Sequence, residues 1–197
     1  MLDLRGRIVL VVGAGPIATR KVEGLVREGA VVRVVAPDVS SEMTAFVAEH
    51  AEIVTVARRP YAPADLAGVR LVITATNDTA VQQAVFDDGE RLGVWVNAAD
   101  DPDRGAFILP AVHRQGVVTF AVSTGGASPA LAQWLRDRMR AALPEHLDAL
   151  VSELSQRRLA FKASGASTES IDWRPVIEEL HTGSAEAGVE VSPSDEP

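Results

Sequence analysis

The sequence contains no cysteine and no long uninterrupted apolar run. The absence of cysteine excludes a disulfide scaffold, catalysis by a thiolate and any metal site with cysteine ligands. No apolar run reaches the roughly 18 residues that a transmembrane helix needs, so the sequence predicts no membrane span. The first residues, Met1–Arg5, lack the pattern of a signal peptide. We therefore expect a soluble, cytoplasmic protein without a membrane partner.

Positive charge is also scarce, because 19 basic residues stand against 27 acidic ones and the net charge is −8. This balance argues against a dedicated nucleic-acid partner, whose binding surface would be basic. Of the basic residues 17 are Arg, the type that binds carboxylates through two parallel hydrogen bonds. The histidines are scattered without metal-ligand spacing, so no resident metal site is predicted. They are His50, His113, His146 and His181.

The first half of the chain alternates between apolar strand-like runs and amphipathic helical segments. The runs are rich in Val and Ile, which is typical of strands buried on both faces of a parallel sheet. This alternation predicts an α/β fold with right-handed crossovers. The predicted strands cover 7–12, 31–36, 53–57, 71–75 and 94–97, and the predicted helices cover 16–28, 41–50 and 79–92, with a short helical turn at 63–66.

The pattern changes after about residue 105. Residues 106–113 and 117–124 predict a β-hairpin around the turn 114–116. Ser128 and Pro129 have the residue types of a helix N-cap and first turn, so helices are expected from there onward. Residues 181–197 hold four acids and no Lys or Arg, which indicates a disordered tail. These changes predict segments at 1–105, 106–143, 144–180 and 181–197.

A glycine-rich loop, Gly13-x-Gly15-x-x-Ala18, lies between the first strand and the first helix. Gly13 permits a tight turn, Gly15 lets a pyrophosphate approach the backbone, and Ala18 allows close packing of helix on strand. The free N–H groups of the helix N-terminus would face the phosphates. The alternative is a tight strand–helix turn without a ligand. In this βαβ context the loop predicts a Rossmann-type dinucleotide site.

Other polar residues follow the ends of the later strands. Asp38 comes 25 residues after Gly13 and could hold the adenosine ribose, or it could simply cap the next segment. Since an acid there would repel a 2′-phosphate, the sequence favours NAD over NADP. Thr76 and Asn77 follow the fourth strand and Asn97 lies in the fifth, so we expect them on the nicotinamide side of the cofactor, alongside a helix-capping role for Asn77 or Asp78.

Three acids fall within four residues just after the fifth strand, at Asp100, Asp101 and Asp103. Mutual repulsion of such carboxylates can raise the pKa of one of them towards that of a useful base. The other interpretation is a mobile, solvated acidic turn. The chain has no arrangement of the Ser-His-Asp type to suggest a different chemistry.

Five motifs together resemble the precorrin-2 dehydrogenase family, the NAD-dependent module of siroheme synthase. The resemblance covers about residues 1–150, and the Ser-Thr-Gly-Gly-x-Ser-Pro run is unusual for a generic Rossmann domain. The motifs are Gly13–Lys21, Ala75–Asp78, Asn97–Asp100, Phe107–Pro110 and Ser123–Pro129.

The resemblance implies oxidation of precorrin-2 to sirohydrochlorin with NAD⁺, and in some members insertion of Fe²⁺ as a substrate to give siroheme. It implies a homodimer with the tetrapyrrole cleft between domains, and it makes 106–143 a dimerisation region and 144–180 a small helical domain. The family's key aspartate falls on Asp100, which would act as a base or as a residue that orients the macrocycle. Its NAD contacts fall on Pro16 and Ile17 and on Pro37 and Asp38.

Substrate contacts are expected from Arg104 and Arg114, because the tetrapyrrole carries many carboxylates. The alternative for both is ordinary surface charge. Thr124 and Gly125 of the Ser-Thr-Gly-Gly run complete the candidate substrate residues. Thr124 falls where some relatives have a serine that can be phosphorylated.

Three other functions remain open from the sequence. A regulatory module that binds NAD without catalysis would explain the glycine loop but not the loop around Asp100. A dehydrogenase of small hydroxy acids usually needs a later His, Lys or Tyr, whereas the only tyrosine is Tyr61 and the only later lysine is Lys162. A ferrochelatase without dehydrogenase activity would not need an intact glycine loop.

Overall fold

The computed structural model describes residues 2–98, 104–165 and 171–186, with the side chains of 183–186 excepted. The chain divides into two compact units, one through Leu109 and one from Pro110. No helix in the described part of the chain is long and apolar enough to span a bilayer.

The first unit is built on a five-stranded parallel sheet in the order β3-β2-β1-β4-β5. Its elements confirm the predicted α/β, Rossmann-type architecture to within one or two residues at each end. The strands are β1 (Ile8–Val12), β2 (Val31–Val35), β3 (Val54–Ala57), β4 (Leu71–Thr74) and β5 (Trp95–Ala98). The helices are α1 (Pro16–Arg27), α2 (Ser41–Glu49) and α3 (Thr79–Leu92), and a 3-10 turn covers Pro63–Leu66.

The sheet separates two apolar cores, because successive strand residues point to opposite faces. Val9 and Val11 of β1 pack with α1 and α2, whereas Leu10 and Val12 pack in the core that holds Val85 of α3. All four of these β1 side chains are buried. The uninterrupted apolar runs of the sequence therefore correspond to strands that are covered on both sides.

The helices begin and end at the residue types that the sequence offers. Ser40 caps α2 by accepting from the Met43 amide at 3.1 Å, and Asp78 caps α3 by accepting from the amides of Ala80 and Val81 at 2.9 and 3.1 Å. Gly93 ends α3 with a φ of +68°, a conformation that favours glycine. The two N-caps fix where the loops at the carboxyl edge of the sheet end, and Gly93 begins the connection from α3 to β5.

The second unit contains a β-hairpin and three helices. Its strands β6 (Ala111–Gln115) and β7 (Val118–Val122) pair antiparallel, with Ala111 opposite Val122. Helix α4 (Pro129–Ala141) packs against both strands, and its N-cap is Ser128 as predicted. Helices α5 (Leu147–Ala163) and α6 (Arg174–Glu186) follow and contact each other.

Three details of the prediction for the later half were wrong. The first hairpin strand begins at Ala111 rather than at 106, because Ala106 donates to the Val96 carbonyl at 2.7 Å beside β5. The hairpin turns at 116–117 instead of 114–116, with Gly116 at a φ of +53°. Residues 181–186, expected in the tail, continue helix α6.

The rest of the predicted tail lies outside the described residues. The contacts assign 106–109 to the first unit, whereas we predicted a boundary at 105. The subdivision of the second unit at 143 stays a prediction.

Candidate functional site

The centre of the sheet contains the point where its connections diverge. From β1 the chain crosses through α1 to β2 on one side, and from β4 it crosses through α3 to β5 on the other. In an open parallel sheet the loops after two such strands separate and leave a crevice at their carboxyl ends. The glycine loop follows β1, and residues 75–78 follow β4. The crevice between these two loops is the candidate site.

Gly13 forms the tight turn at the end of β1. Its amide donates to the Val35 carbonyl at 2.9 Å, and its φ of +113° favours glycine. A Cβ at this position would overlap the backbone carbonyl of Ala75. The main chain of Gly13 therefore lies directly against the main chain of Ala75.

Gly15 leaves open space where a ligand would approach. It is the N-cap of α1, with a φ of −84°, and a Cβ built on it would meet no atom within 4 Å. The first turn of α1 contains no acidic residue. The partial positive charge of the helix N-terminus and its N–H groups is therefore not neutralised by a nearby carboxylate and can attract a phosphate. The arrangement fits the pyrophosphate of a dinucleotide. Exposed Pro16 and Ile17 form the outer wall of this turn.

The loop after β2 is fastened to the glycine loop. The Ser40 amide donates to the Ala14 carbonyl at 3.1 Å, which holds the start of α2 against the turn. Pro37 and Asp38 lie in this loop and are both exposed. The adenosine side of a bound dinucleotide would lie next to the end of β2. Asp38 is thus at the edge of the crevice where its predicted ribose contact would be made.

The loop after β4 is held by Gln82 of α3 and by a hydrogen bond within the loop. Gln82 donates from Nε2 to the Thr76 carbonyl at 2.6 Å, and the Asp78 amide donates to Thr76 Oγ1 at 3.2 Å. Asn77 stays exposed, and the capping role belongs to Asp78. Sequence reasoning missed Gln82, because nothing in its spacing from Thr76 distinguishes it from an ordinary exposed helix residue.

Asn97 is buried in β5, next to β4. Its Nδ2 donates to the Phe107 carbonyl at 2.8 Å, and its own carbonyl accepts from Thr74 Oγ1 at 3.4 Å. Its side-chain oxygen Oδ1 is buried and has no hydrogen-bond partner in the described structure. A buried acceptor without a donor is costly to the fold.

The predicted catalytic Asp100 lies outside the described residues, as do the other two acids of its loop. Arg104, just beyond that loop, donates from Nε to Gln83 Oε1 of α3 at 2.9 Å. It therefore belongs to the first unit, on the side of the sheet that carries α3.

The remaining substrate candidates belong to the second unit. Arg114 is exposed on β6. The Thr124 hydroxyl accepts from the Ser128 amide at 3.0 Å and donates to the Ser128 carbonyl at 3.1 Å, so it closes the turn before α4. Gly125 has a φ of +63° and open space where a Cβ would stand. The Thr124 hydroxyl is thus engaged in the loop itself.

Two carboxylate pairs around the 3-10 turn shift pKa values in the described part of the first unit. The hydrogen bond from Arg59 holds the pKa of the Asp65 carboxyl below its usual range, and the Ala62 amide lowers it further. Burial and the hydrogen bond to Asp88 raise the pKa of Tyr61. Both pairs brace the segment around the 3-10 turn.

Comparison with known proteins places this geometry in a family. A family model for NAD(P)-binding proteins matches residues 1–111, and a model for the central part of sirohaem biosynthesis proteins matches residues 120–142. The chain is similar to the solved structure of SirC, precorrin-2 dehydrogenase, with a TM-score of 0.67 and 33% identity over 93% of this chain and 86% of that one.

Curated sequences point the same way. Siroheme synthase 2 of Aeromonas salmonicida is 34% identical over 208 aligned positions, which cover 95% of this chain and 42% of the relative. Siroheme synthase of Gluconacetobacter diazotrophicus is 42% identical over 159 positions, or 80% of this chain and 34% of the relative. The chain therefore spans less than half the length of these relatives. The NAD(P)-binding model and the dehydrogenase neighbour support a nicotinamide cofactor for this chain.

Proposed function

Because the chain belongs to the precorrin-2 dehydrogenase family of siroheme biosynthesis proteins, we propose that it oxidises precorrin-2 to sirohydrochlorin with NAD⁺. The observation that carries the proposal is the crevice between the glycine loop and the loop after β4. Gly13 makes the tight turn of this crevice, and Gly15 leaves room for the pyrophosphate of a dinucleotide. The chain that carries this crevice is 33% identical to the structure of a precorrin-2 dehydrogenase.

The reaction removes one hydride and one proton from the reduced macrocycle and leaves a new double bond. When bound, NAD⁺ supplies the acceptor for that hydride. The chain's own residues would bind and orient the dinucleotide through the α1 N-terminus and the side-chain oxygen of Asn97. This buried oxygen accepts no hydrogen bond in the described structure. A carboxamide N–H of the nicotinamide is a suitable donor for this oxygen.

Asp100 is the proposed catalytic residue. It follows β5 by two positions, so its loop begins at the carboxyl edge of the sheet next to Asn97. As a carboxylate it could accept the proton that leaves the macrocycle, or it could hold the macrocycle in place through pyrrole N–H groups. Substitution by Asn separates the two roles, because the amide retains hydrogen bonding but is not a base.

NAD is proposed over NADP because of Asp38. This residue stands exposed just beyond the end of β2, where the adenosine ribose of a dinucleotide lies. A carboxylate there can accept hydrogen bonds from ribose hydroxyls and repels a 2′-phosphate. We expect the variant Asp38→Ser to bind NADP⁺ relatively better than the parent chain does.

Arg104 and Arg114 are proposed to contact carboxylates of the tetrapyrrole, with Thr124 and Gly125 as the loop against which it rests. The hydroxyl of Thr124 is already bonded to Ser128, which favours a shape-forming role for this loop. Insertion of Fe²⁺, as a substrate, into sirohydrochlorin is a second step that the same site is proposed to support, with the macrocycle itself supplying the metal's ligands.

The working unit is proposed to be a homodimer formed through the second unit. Large apolar side chains stand exposed there, with Val117 at 81%, Trp134 at 54% and Leu131 at 47% of their full accessibility. Exposed apolar side chains of this size are typical of surfaces that associate. We propose a second copy of this chain as the partner, because the family resemblance implies a homodimer.

The proposal is tested by anaerobic spectroscopy of the purified protein with precorrin-2 and NAD⁺. We expect NADH and sirohydrochlorin to form together, and Asp100→Ala to abolish both while NAD⁺ still binds. Activity retained in Asp100→Asn would assign Asp100 to orientation, and activity lost in that variant would assign it to proton transfer. Saturable NAD⁺ binding without any turnover would instead favour the non-catalytic NAD-binding module.

A further inference from the structure

Two of the four histidines, 35 residues apart in sequence, meet in the second unit. His181 Nδ1 lies 3.1 Å from His146 Nε2, and the two rings stack with their centroids 5.0 Å apart and their planes 22° from parallel. His146 immediately precedes α5 and His181 lies in α6. The proposed dehydrogenation uses neither residue.

We propose that His146 and His181 form a two-histidine site for a first-row divalent transition-metal ion such as Ni²⁺ or Zn²⁺. Neutral imidazole nitrogens are suitable ligands for these ions. Both histidines belong to the second unit, whereas the residues of the dinucleotide crevice belong to the first.

The distance between the two nitrogens fits such a site. Two metal–nitrogen bonds of about 2.05 Å that span the observed 3.1 Å enclose an angle of roughly 98°. This angle lies between the right angle of octahedral neighbours and the wider angle of a tetrahedron. The distance therefore lets both nitrogens reach one ion. Each metal–nitrogen bond would lie roughly 41° off the line that joins the two nitrogens, so both rings must turn from facing each other towards the ion.

The protonation of the pair also permits binding. In the neutral pair one facing nitrogen donates a hydrogen bond and the other accepts it. When a metal binds, the donating ring moves its proton to its outer nitrogen, so both facing nitrogens offer lone pairs and no net proton is released. His181 is exposed and His146 is partly exposed, so water has access to the outer nitrogens and an ion has access to the pair.

The two histidines supply only part of a coordination sphere. Within residues 2–98, 104–165 and 171–182, no group of three or more His, Asp or Glu side chains is placed to hold a metal ion. Water or an external ligand would occupy the remaining positions. We therefore expect exchangeable binding rather than a permanently held ion.

The proposed ion would tie α6 to α5. The contacts between this part of the chain and α5 include the edge-on contact of Phe161 with Trp173, which immediately precedes α6, and the 3.8 Å ion pair of Arg157 with Glu179. An ion that binds the folded pair and not the separated helices stabilises their contact by mass action. Metal binding should thus raise the thermal stability of the second unit.

The test uses the full chain without an affinity tag, freed of metal by a chelator and titrated with NiCl₂ by calorimetry. We expect one ion per chain. His146→Gln and His181→Gln should each weaken binding by at least about tenfold, since even the loss of an outer-sphere partner costs that much. His50→Gln is the matched control, because His50 bonds the Phe46 carbonyl at 3.0 Å in the first unit.

A second measurement guards against variants that detach α6. Zn²⁺ added to the parent chain should shift the imidazole ¹⁵N resonances of His146 and His181 and leave those of His50 and His113 in place. Absence of saturable Ni²⁺ binding, equal affinity in all variants, or shifts confined to His50 or His113 would each overturn the proposal. Because neither measurement involves the tetrapyrrole, its outcome is separate from that of the dehydrogenase assay.

Discussion

Gly13 and Ala75 lie in main-chain contact, close enough that a Cβ on Gly13 would overlap the carbonyl oxygen of Ala75. The end of β1 and the end of β4 are thereby drawn together at the position where the crevice opens. The same glycine carries a φ of +113° and donates its amide to Val35 of β2. Gly13, just after β1, thus contacts the ends of both neighbouring strands.

Gly13→Ala is expected to destabilise the fold itself. The new methyl group must displace the backbone of Ala75, and the residue must adopt a conformation that side chains rarely take. We expect a loss of about 2 kcal/mol or more in the free energy of unfolding. Urea denaturation measures it. A loss well below that would show that the two loops can separate at little cost.

Gly15→Ala is expected to spare the fold and impair the ligand. Its φ of −84° suits any residue, and its Cβ would meet no atom within 4 Å. The stability should change by less than about 1 kcal/mol, the ordinary cost of alanine at an N-cap. NAD⁺ affinity should fall by at least about tenfold, or 1.4 kcal/mol, because the methyl occupies the approach of the pyrophosphate. Unchanged affinity would mean that phosphate does not bind here.

Asp78→Ala should cost stability through the start of α3. The carboxylate accepts from two backbone amides that have no partner within the helix. Loss of such a cap costs about 1 kcal/mol, whereas Asp78→Asn retains an acceptor and should cost less. Chemical denaturation distinguishes the two variants. We also expect the KM for NAD⁺ to rise in the Ala variant, since Thr76 and Asn77 precede the cap.

The first unit could be predicted from the sequence because each of its signals is local. Continuous Val and Ile runs identify buried strands, and Gly93 and Ser40 identify a helix end and a helix start. The glycine loop predicted a crevice because its spacing and its place between strand and helix favour a dinucleotide site over a turn without a ligand. Fold and crevice were therefore accessible before any contact was known.

Other features depend on contacts between distant residues, which spacing does not reveal. Residues 106–107 have a strand-like composition. The Val96 carbonyl binds the first of them and the Asn97 side chain binds the second, so both lie beside β5 and are not part of the hairpin. The histidine pair joins residues 35 positions apart. The assignment of Arg104 and Arg114 to substrate likewise had no local signal, so it remains a prediction.

The ion pair of Asp65 with Arg59 predicts a pH-dependent contribution to stability. Asp65 Oδ2 accepts from Arg59 Nη1 at 2.8 Å and from the Ala62 amide at 2.9 Å, and its side chain is only 10% exposed. These bonds lower the pKa of Asp65 in the folded chain. The stabilisation is therefore present above the ordinary Asp pKa of about 3.9 and is lost as the pH falls through the folded value.

Asp65→Asn should consequently lower the free energy of unfolding by about 1 kcal/mol at neutral pH, with a difference that shrinks below about pH 4. Urea denaturation at several pH values measures this difference. Asp137→Asn is the control, because that carboxylate is 59% exposed in its pair with Arg136, and such surface pairs contribute little. A difference that grows on acidification would contradict the assignment.

The exposed apolar side chains of α4 predict how the chain associates. Leu131 and Trp134 are three residues apart and so lie on one side of the helix, with the guanidinium of Arg138 5.0 Å from the Trp134 ring centre. In a two-fold interface each residue is buried once in each of the two copies. A substitution therefore removes its contribution to the free energy of dimerisation twice. Trp134→Asp should thus cost about 3 kcal/mol, or roughly a hundredfold in the dimer Kd.

Light scattering after size-exclusion chromatography should show a dimer for the parent chain and a monomer for Leu131→Asp and Trp134→Asp. Leu159→Asp is the matched control, since Leu159 is 66% exposed on α5 and the same charge is introduced away from α4. If Leu159→Asp alone dissociated the dimer, the interface would lie on α5. If no variant did, or if the parent chain were a monomer, association through α4 would be wrong. Circular dichroism of each variant verifies that it is folded. A change in mass then shows that the interface on α4 is lost and not that the helix has unfolded.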